Sequence, residues 1–204
     1  GSRARLAVLG IGLSLVPLVV VLEVSDGMIQ GITSRFIETG TYHLQLIPPE
    51  SAGDSEIAEM TQQLAFLPEV TSVHRERQGF GLLSSRNGRS GAAVRGVSPD
   101  LWETDTLFRR YIQVDSGDFD LEDPQSAVLG SAIAKDLGVN VGDSIKLLTV
   151  RSLPNRPYLP RISSFTVTGI VSSGYQDLDK LWMFISLERA ERILPLTDSR
   201  RLVG

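Results

Sequence analysis

The sequence predicts an α+β protein, a single transmembrane and stalk helix followed by a mixed domain of short helices and strands. Three observations carry this. Residues 6–22, LAVLGIGLSLVPLVVVL, contain no charge. Residues 42–97 read as a βαβββ run, and residues 126–194 alternate strand-period and helix-period segments. Apolar residues make up 42% of the 204 and charged ones 22%, enough to build a core. Twenty basic against twenty-four acidic residues leave −4, which argues against nucleic acid as partner. With no cysteine and only His43 and His74, disulfide scaffolds and thiolate or multi-imidazole zinc sites are excluded.

The charge-free run covers roughly 25 Å at about 1.5 Å per residue, close to a ~30 Å hydrocarbon core. It is apolar on every face, unlike the striped helix of a soluble surface. Pro17, Gly10, Gly12 and Ser14 weaken a water-soluble helix but are tolerated in lipid. The residues around Val21–Ser25 offer no small-x-small cleavage site, so the span reads as an uncleaved anchor. Arg3 and Arg5 before it, with Glu23 and Asp26 after it, place the amino terminus in the cytoplasm and the domain after residue 24 outside. Met28, Ile29, Ile32, Phe36 and Ile37 continue at helical steps, predicting a stalk to about residue 38 before Gly40. Gly27 and Gly31 argue against that extension.

In the outer part, Tyr42–Ile47 alternates as a strand ended by Pro48-Pro49. Asp54 or Ser55 caps a helix whose inner face is Ile57, Met60, Leu64 and Leu67. Strands are predicted at 70–75, 80–85 and 92–97, with Arg86-Asn87-Gly88-Arg89 as the turn between the last two. An acid-rich stretch over 100–123 marks a change of composition. Beyond it come a strand at 126–129, a helix at 131–137 closed by Gly138, and strands at 144–150 and 163–172. A strand at 181–185, Ser186 as cap, and a helix with Leu187, Ala190, Ile193 and Leu194 inside complete the run. Arg200–Gly204 reads as the start of another strand, so the chain is expected to be truncated there.

Candidate sites for chemistry are weak. Asp118–Asp123 alternates carboxylates, yet the sixth position of a calcium loop is Asp123 rather than Gly and the twelfth is Leu129 rather than Glu. No G-x-S-x-G, dinucleotide fingerprint or G-x-x-x-x-G-K-[ST] loop occurs. Asp177 and Asp179 are read as capping or orienting a loop. Arg75, Arg77, Arg86, Arg89 and Arg95 are read as a solvated basic face.

The anchor LGIGLSLVPLVVVLEVSDGM, together with VRGVSPDLW (94–102), LGSAIAKDLGVNVGDSIKLL (129–148) and FTVTGIVSSGYQDLDKLWMFISLERAERIL (165–194), resembles lipoprotein-releasing ABC transporter permeases (LolC/LolE-like), within the FtsX/MacB-like superfamily. These segments cover most of the chain in the family's order.

The resemblance implies a MacB-like periplasmic domain, with a porter-like α/β part (41–98 and 180–204) and an inserted mainly-β part (99–179). It implies a non-enzymatic permease subunit of the cytoplasmic (inner) membrane, here its amino-terminal portion. ATP hydrolysis by a separate cytoplasmic ATPase would drive lipoprotein release. No cofactor is expected in this chain; ATP and Mg would belong to the ATPase. A second permease subunit, the same or related, and a periplasmic lipoprotein carrier complete the expected partners.

The loop joining the strands at 144–150 and 163–172 is the candidate carrier contact, through Pro154, Arg156, Pro157, Tyr158, Leu159, Pro160 and Arg161. Its prolines lower the entropy lost on binding, and Tyr, Leu and Arg are residue types that anchor interfaces. A hairpin at this position is similar to the family's carrier-engaging hook; the bland reading is an inert rigid loop. Met28, Ile32 and Phe36 are the candidate lipoprotein-facing stalk residues, with packing against a partner's helix as the alternative. A membrane-anchored extracytoplasmic sensor or binding module is the rival reading of the whole.

Overall fold

The computed structural model describes residues 2–37, 40, 42–49, 52–153, 156–194 and 199–204. The chain divides into two compact units, Gly1–Tyr42 and His43–Gly204. The first is helix α1, Ser2–Phe36, unbroken through Pro17, Gly27 and Gly31. Within it Gly12–Gly31 is long and apolar enough to cross a membrane, and none of that stretch is buried by protein. Leu13, Leu18, Val20 and Leu22 stand exposed along it, a surface that lipid satisfies and water does not.

The second unit is organised by a small β-barrel. Its strands are β1 (Arg75–Ser84), β2 (Arg89–Val97), β3 (Gln113–Gly117), β4 (Ser126–Gly130), β5 (Ser144–Leu153), β6 (Arg156–Ser172), β7 (Trp182–Ser186) and β8 (Ser199–Val203). The order β2-β7-β4-β6-β5-β1 closes because β1 also pairs β2, while β3 adds to β6 and β8 to β1. Strands from 41–98 and 180–204 thus pair directly with strands from 99–179. The β2–β7 and β4–β6 pairs are parallel and the others antiparallel.

Leu83, Val94, Leu129, Ile145, Leu147, Phe165, Met183 and Ile185 belong to one apolar cluster with residues of two short helices, α5 (Ser131–Leu137) and α7 (Leu187–Ile193). The helices sit toward opposite ends of the β1–β2 hairpin. A methyl on Gly88 would strike the Asp136 carbonyl at the end of α5, whereas one on Gly96 would overlap Ala190 of α7. Gly138 closes α5 at φ 61°, as its left-handed C-terminal position requires. Ser186 caps α7, its hydroxyl accepting from the Arg189 N–H.

A second cluster packs aromatic rings beside β4 and β7. It includes Leu101 of α3 (Leu101–Thr104), Phe108 of α4 (Thr106–Tyr111), Phe119, Trp182 and Phe184. Trp102 stacks on Phe119 at 5.3 Å, and Phe108 meets Phe184 edge-on at 5.8 Å, a favoured arrangement for aromatic quadrupoles. Asp105 starts α4 by accepting from the Leu107 and Phe108 N–H groups.

Several sequence expectations are corrected. The strand at 42–47 reduces to a single bridge between Leu46 and Val203, and Tyr42 has φ 56°. The helix α2, Asp54–Ala65, begins after Gly53 without a side-chain cap, so neither Asp54 nor Ser55 fills that role. Ile57 of α2 is buried with Ala52 and Val203, and Met60 and Leu64 pack beside it, but Leu67 lies beyond the helix and is exposed. Residues 70–74 form no strand, and the one expected at 80–85 is the end of the ten-residue β1. The expected basic face also fails, since Arg77 and Arg95 are buried.

Candidate functional site

The candidate contact loop is the end of a β-hairpin. β5 and β6 stay paired from Ser144↔Thr166 to Leu153↔Arg156, with a bulge between Arg151 and Leu153. The pairing of β5 with β1 stops at Leu148, and β4 and β3 meet β6 only from Thr166 onward. Among the described residues, 149–153 and 156–161 therefore hydrogen-bond as strands only to each other. They form a two-stranded arm of ~16 Å, taking about 3.3 Å per residue. Both edges of such an arm are open, which is why Pro157 and Pro160 fit within it; a proline on an open edge also blunts it against pairing with another chain.

Leu159 on the arm is 49% exposed, and Pro160 is exposed beside it. Arg161 is also exposed at its backbone position, but its Nη1 donates to the Arg192 carbonyl at 2.7 Å. Thr149, across from it in register, is buried, and its hydroxyl donates to the Ile193 carbonyl at 3.4 Å. The base of the arm is thus tied to the last turn of α7. Arg161, a candidate partner-facing residue from the sequence, thus also makes an anchoring bond that no local pattern displays. Arg156, Pro157 and Tyr158 are placed in β6 by their backbone, and Pro154 lies outside the described residues.

On α1, Met28, Ile32 and Phe36 follow at four-residue steps and so share one side of the helix. Met28 is 66% exposed; for Ile32 and Phe36 the backbone alone is placed. These stalk residues and the arm belong to different compact units and are separate candidates.

Groups with catalytic potential resolve into structural roles. His74 Nε2 lies 3.3 Å from Asp105 Oδ2, both side chains being almost buried. Burial pushes the Asp105 carboxyl up, but the His74 contact and the Phe108 and Leu107 N–H groups outweigh it and hold the carboxyl below its ordinary value. Asp179, at the end of the short helix α6 (Gln176–Asp179), accepts through Oδ1 from the Ser173 N–H at 2.8 Å and hydroxyl at 2.7 Å, the loop-orienting role expected of it. Among the described residues no group of three or more His, Asp or Glu is placed to hold a metal ion.

A closed barrel with a projecting arm, joined in sequence to a helix apolar enough to span lipid, is the build of a membrane-anchored domain. The chain belongs to the MacB-like periplasmic core domain family, whose description matches residues 5–202. It is therefore a MacB-like periplasmic core domain that carries an apolar helix long enough to span a membrane. The chain is 26% identical over 192 residues to the lipoprotein-releasing system transmembrane protein LolC of Xylella fastidiosa (strain 9a5c), covering 92% of this chain and 45% of that protein. It is 23% identical over 181 residues to LolC of Neisseria meningitidis serogroup B, covering 85% of this chain and 41% of that one. The chain thus spans less than half the length of these relatives. The extracellular domain of the noncanonic ABC-type transporter YknZ from Gram-positive bacteria shares the fold, with a TM-score of 0.50 at 10% identity over 78% of this chain and 80% of that one.

Proposed function

We propose that the protein is a permease subunit that couples ATP hydrolysis to extraction and release of lipoproteins on the periplasmic side of the cytoplasmic (inner) membrane. ATP and Mg act in a separate cytoplasmic ATPase subunit, and a second permease subunit, the same or related, completes the transporter. The domain after residue 24 is periplasmic. In this reading the barrel domain comprises a porter-like part (41–98 and 180–204) and an inserted part (99–179), and Met28, Ile32 and Phe36 face the lipoprotein. Family membership favours this reading over an anchored sensor, and the similarity to LolC proteins across most of the chain favours lipoprotein as cargo.

The observation that carries the partner assignment is the arm at 149–161. It pairs only with itself among the described residues, exposes Leu159 and Pro160, and is tied at its base to α7. A segment that closes no part of the barrel is free to serve a contact, and we assign it to a periplasmic lipoprotein carrier. The test is capture of a purified carrier by the full chain in detergent. Tyr158→Ala and Leu159→Ala, which spare the Arg161 anchor, should each weaken capture about tenfold or more, the loss expected when an interface anchor is truncated, and leave thermal unfolding unchanged. Wild-type capture by both variants would remove the carrier from the proposal.

A further inference from the structure

The outer wall of the barrel is covered on one side only. In register, Trp182 of β7 stands beside Ala93 of β2, and Ala93 beside Phe80 of β1, so the three share a face. Trp182 lies buried in the aromatic cluster with residues of α3 and α4, whereas Phe80 is 79% exposed. From Phe80 onward the wall is bare and apolar. Leu82 pairs across to Leu148 of β5, and Leu148 to Ile162 of β6. Ile162 is 67% exposed and Leu82 is exposed beside it. Val150 and Pro160, paired at the foot of the arm, extend the same face and are exposed as well. On its other flank Gly91 of β2 stands opposite Leu82, with open space where a Cβ would be. Contiguous apolar surface of this kind marks an interaction site.

One border of the face is basic. The row next to Leu82 in the register holds Ser164, Lys146, Ser84 and Arg89. Lys146 and Arg89 are both exposed. Across the rows led by Ser84, Leu82 and Phe80 there are thus two cations and no carboxylate. A second copy seated on this face offers the two cations nothing to pair with, so charge complementarity favours an anionic occupant. The face is a low sheet surface rather than a groove, which suits a flat occupant. Apolar side chains beside a border of Lys and Arg are the pattern of a surface that enters the edge of a bilayer while its cations reach the lipid phosphates.

We infer that this face docks on an anionic bilayer surface, with Phe80 and Ile162 entering the acyl boundary and Lys146 and Arg89 meeting the headgroup phosphates. The barrel unit follows directly in sequence on a helix apolar enough to span lipid, which keeps a bilayer at high effective concentration. Docking of this kind needs the α1 anchor but neither cargo nor carrier.

The chain has no cysteine, so Gly91→Cys places a single reporter in the face without removing an apolar side chain or striking a neighbour. The full chain, labelled there with an environment-sensitive fluorophore, is reconstituted into vesicles of phosphatidylcholine alone or with phosphatidylglycerol. Emission should shift to the blue when phosphatidylglycerol is present and lose most of that shift at high salt. The same label at Glu122→Cys, an exposed position outside the face, should report water in both vesicles. Phe80→Ser with Ile162→Ser, two exposed positions whose exchange the fold tolerates, should abolish the shift. Lys146→Gln with Arg89→Gln should lower the docked-to-free ratio about thirtyfold, roughly fivefold for each cation. An absent shift, or an equal one in the two vesicles, overturns the inference. So does a shift that fades as the protein is diluted among the vesicles, which puts a second copy on the face.

Discussion

The Glu76–Arg95 pair lies in the interior of the domain, both side chains being almost wholly buried. Arg95 Nε lies 2.5 Å from Glu76 Oε1 and its Nη2 lies 2.8 Å from Oε2, a two-pronged charge-assisted contact. Gln78 Nε2 adds a third donor to Oε1 at 3.1 Å. Glu76→Ala removes this carboxylate from a guanidinium that stays in the interior. Removing one partner of a buried ion pair costs about 3–5 kcal/mol, chiefly as the desolvation of the charge left behind. Here the Arg95 Cζ sits 5.4 Å from the Trp182 ring and 5.3 Å from the Phe184 ring, which retain some of the cation's stabilisation. The lower part of the range, about 3–4 kcal/mol, is therefore expected. For a domain of this size that lowers Tm by roughly 6–16 °C. Replacing both partners with apolar residues, Glu76→Leu with Arg95→Met, should recover most of the loss, because no charge is then stranded. Near-ultraviolet circular dichroism of the full chain in detergent reads this through Trp182. A drop of less than about 2 °C for Glu76→Ala, or a double variant no better than the single, would refute the argument.

Other consequences follow from single contacts. Asp105 has a folded pKa below its unfolded value of about 3.9, so its stabilisation is fully present above that unfolded value and lost as pH falls through the folded one. Wild type should exceed Asp105→Asn in Tm at about pH 5, and the margin should shrink below pH 4; a flat margin from pH 5 down to pH 2 would contradict the assignment. Gly96→Ala drives a methyl into Ala190 and should destabilise by about 1–3 kcal/mol, part of which Ala190→Gly should restore in a urea titration. The full chain should remain with membranes after alkaline carbonate washing, whereas Val20→Arg, a charge near the middle of the span, should reduce the membrane-embedded fraction.

The elements legible in the sequence are those whose signals are local. Helix α5 ends where Gly138 supplies a left-handed residue, and α7 begins where Ser186 supplies a cap. The β5–β6 hairpin was legible because two alternating runs flank a proline-rich loop. Where neighbours decide, the reading fails. The strands expected at 70–75 and 80–85 leave a gap between them, yet β1 runs straight through it and through Gly79 and Gly81. Leu194 lies against the first and Leu147 against the second, leaving little or no room for a side chain. Residues 42–47 alternate well enough for a strand, but only Leu46 finds a partner, at Val203. β3 was missed because an exposed strand with one paired edge carries no apolar alternation. α3 and α4 lay hidden in the acid-rich stretch, although Asp105 before Thr106-Leu107-Phe108 was a usable start signal. Barrel closure depends on β2 meeting β7 and β1 meeting β5, pairings remote in sequence that no local pattern encodes.

The same topology explains why the arm and α7 should be considered together. Thr149 and Arg161 sit opposite each other at the foot of the arm, and each donates to a carbonyl at the end of α7, Ile193 and Arg192 respectively. Those are carbonyls of the last helical turn, which have no acceptor role within the helix and stay free to bind side chains. α7 in turn begins at Ser186, directly at the end of β7 in the barrel wall, and Ala190 lies against Gly96 of β2. A load on the arm is therefore passed to a helix seated on two strands of a closed sheet. Thr149→Val removes one of the two ties while keeping the shape of a β-branched side chain. On this argument it should loosen the foot of the arm and leave the barrel folded, seen as faster amide exchange at 149–153 and 156–161 with unchanged protection in β2 and β7.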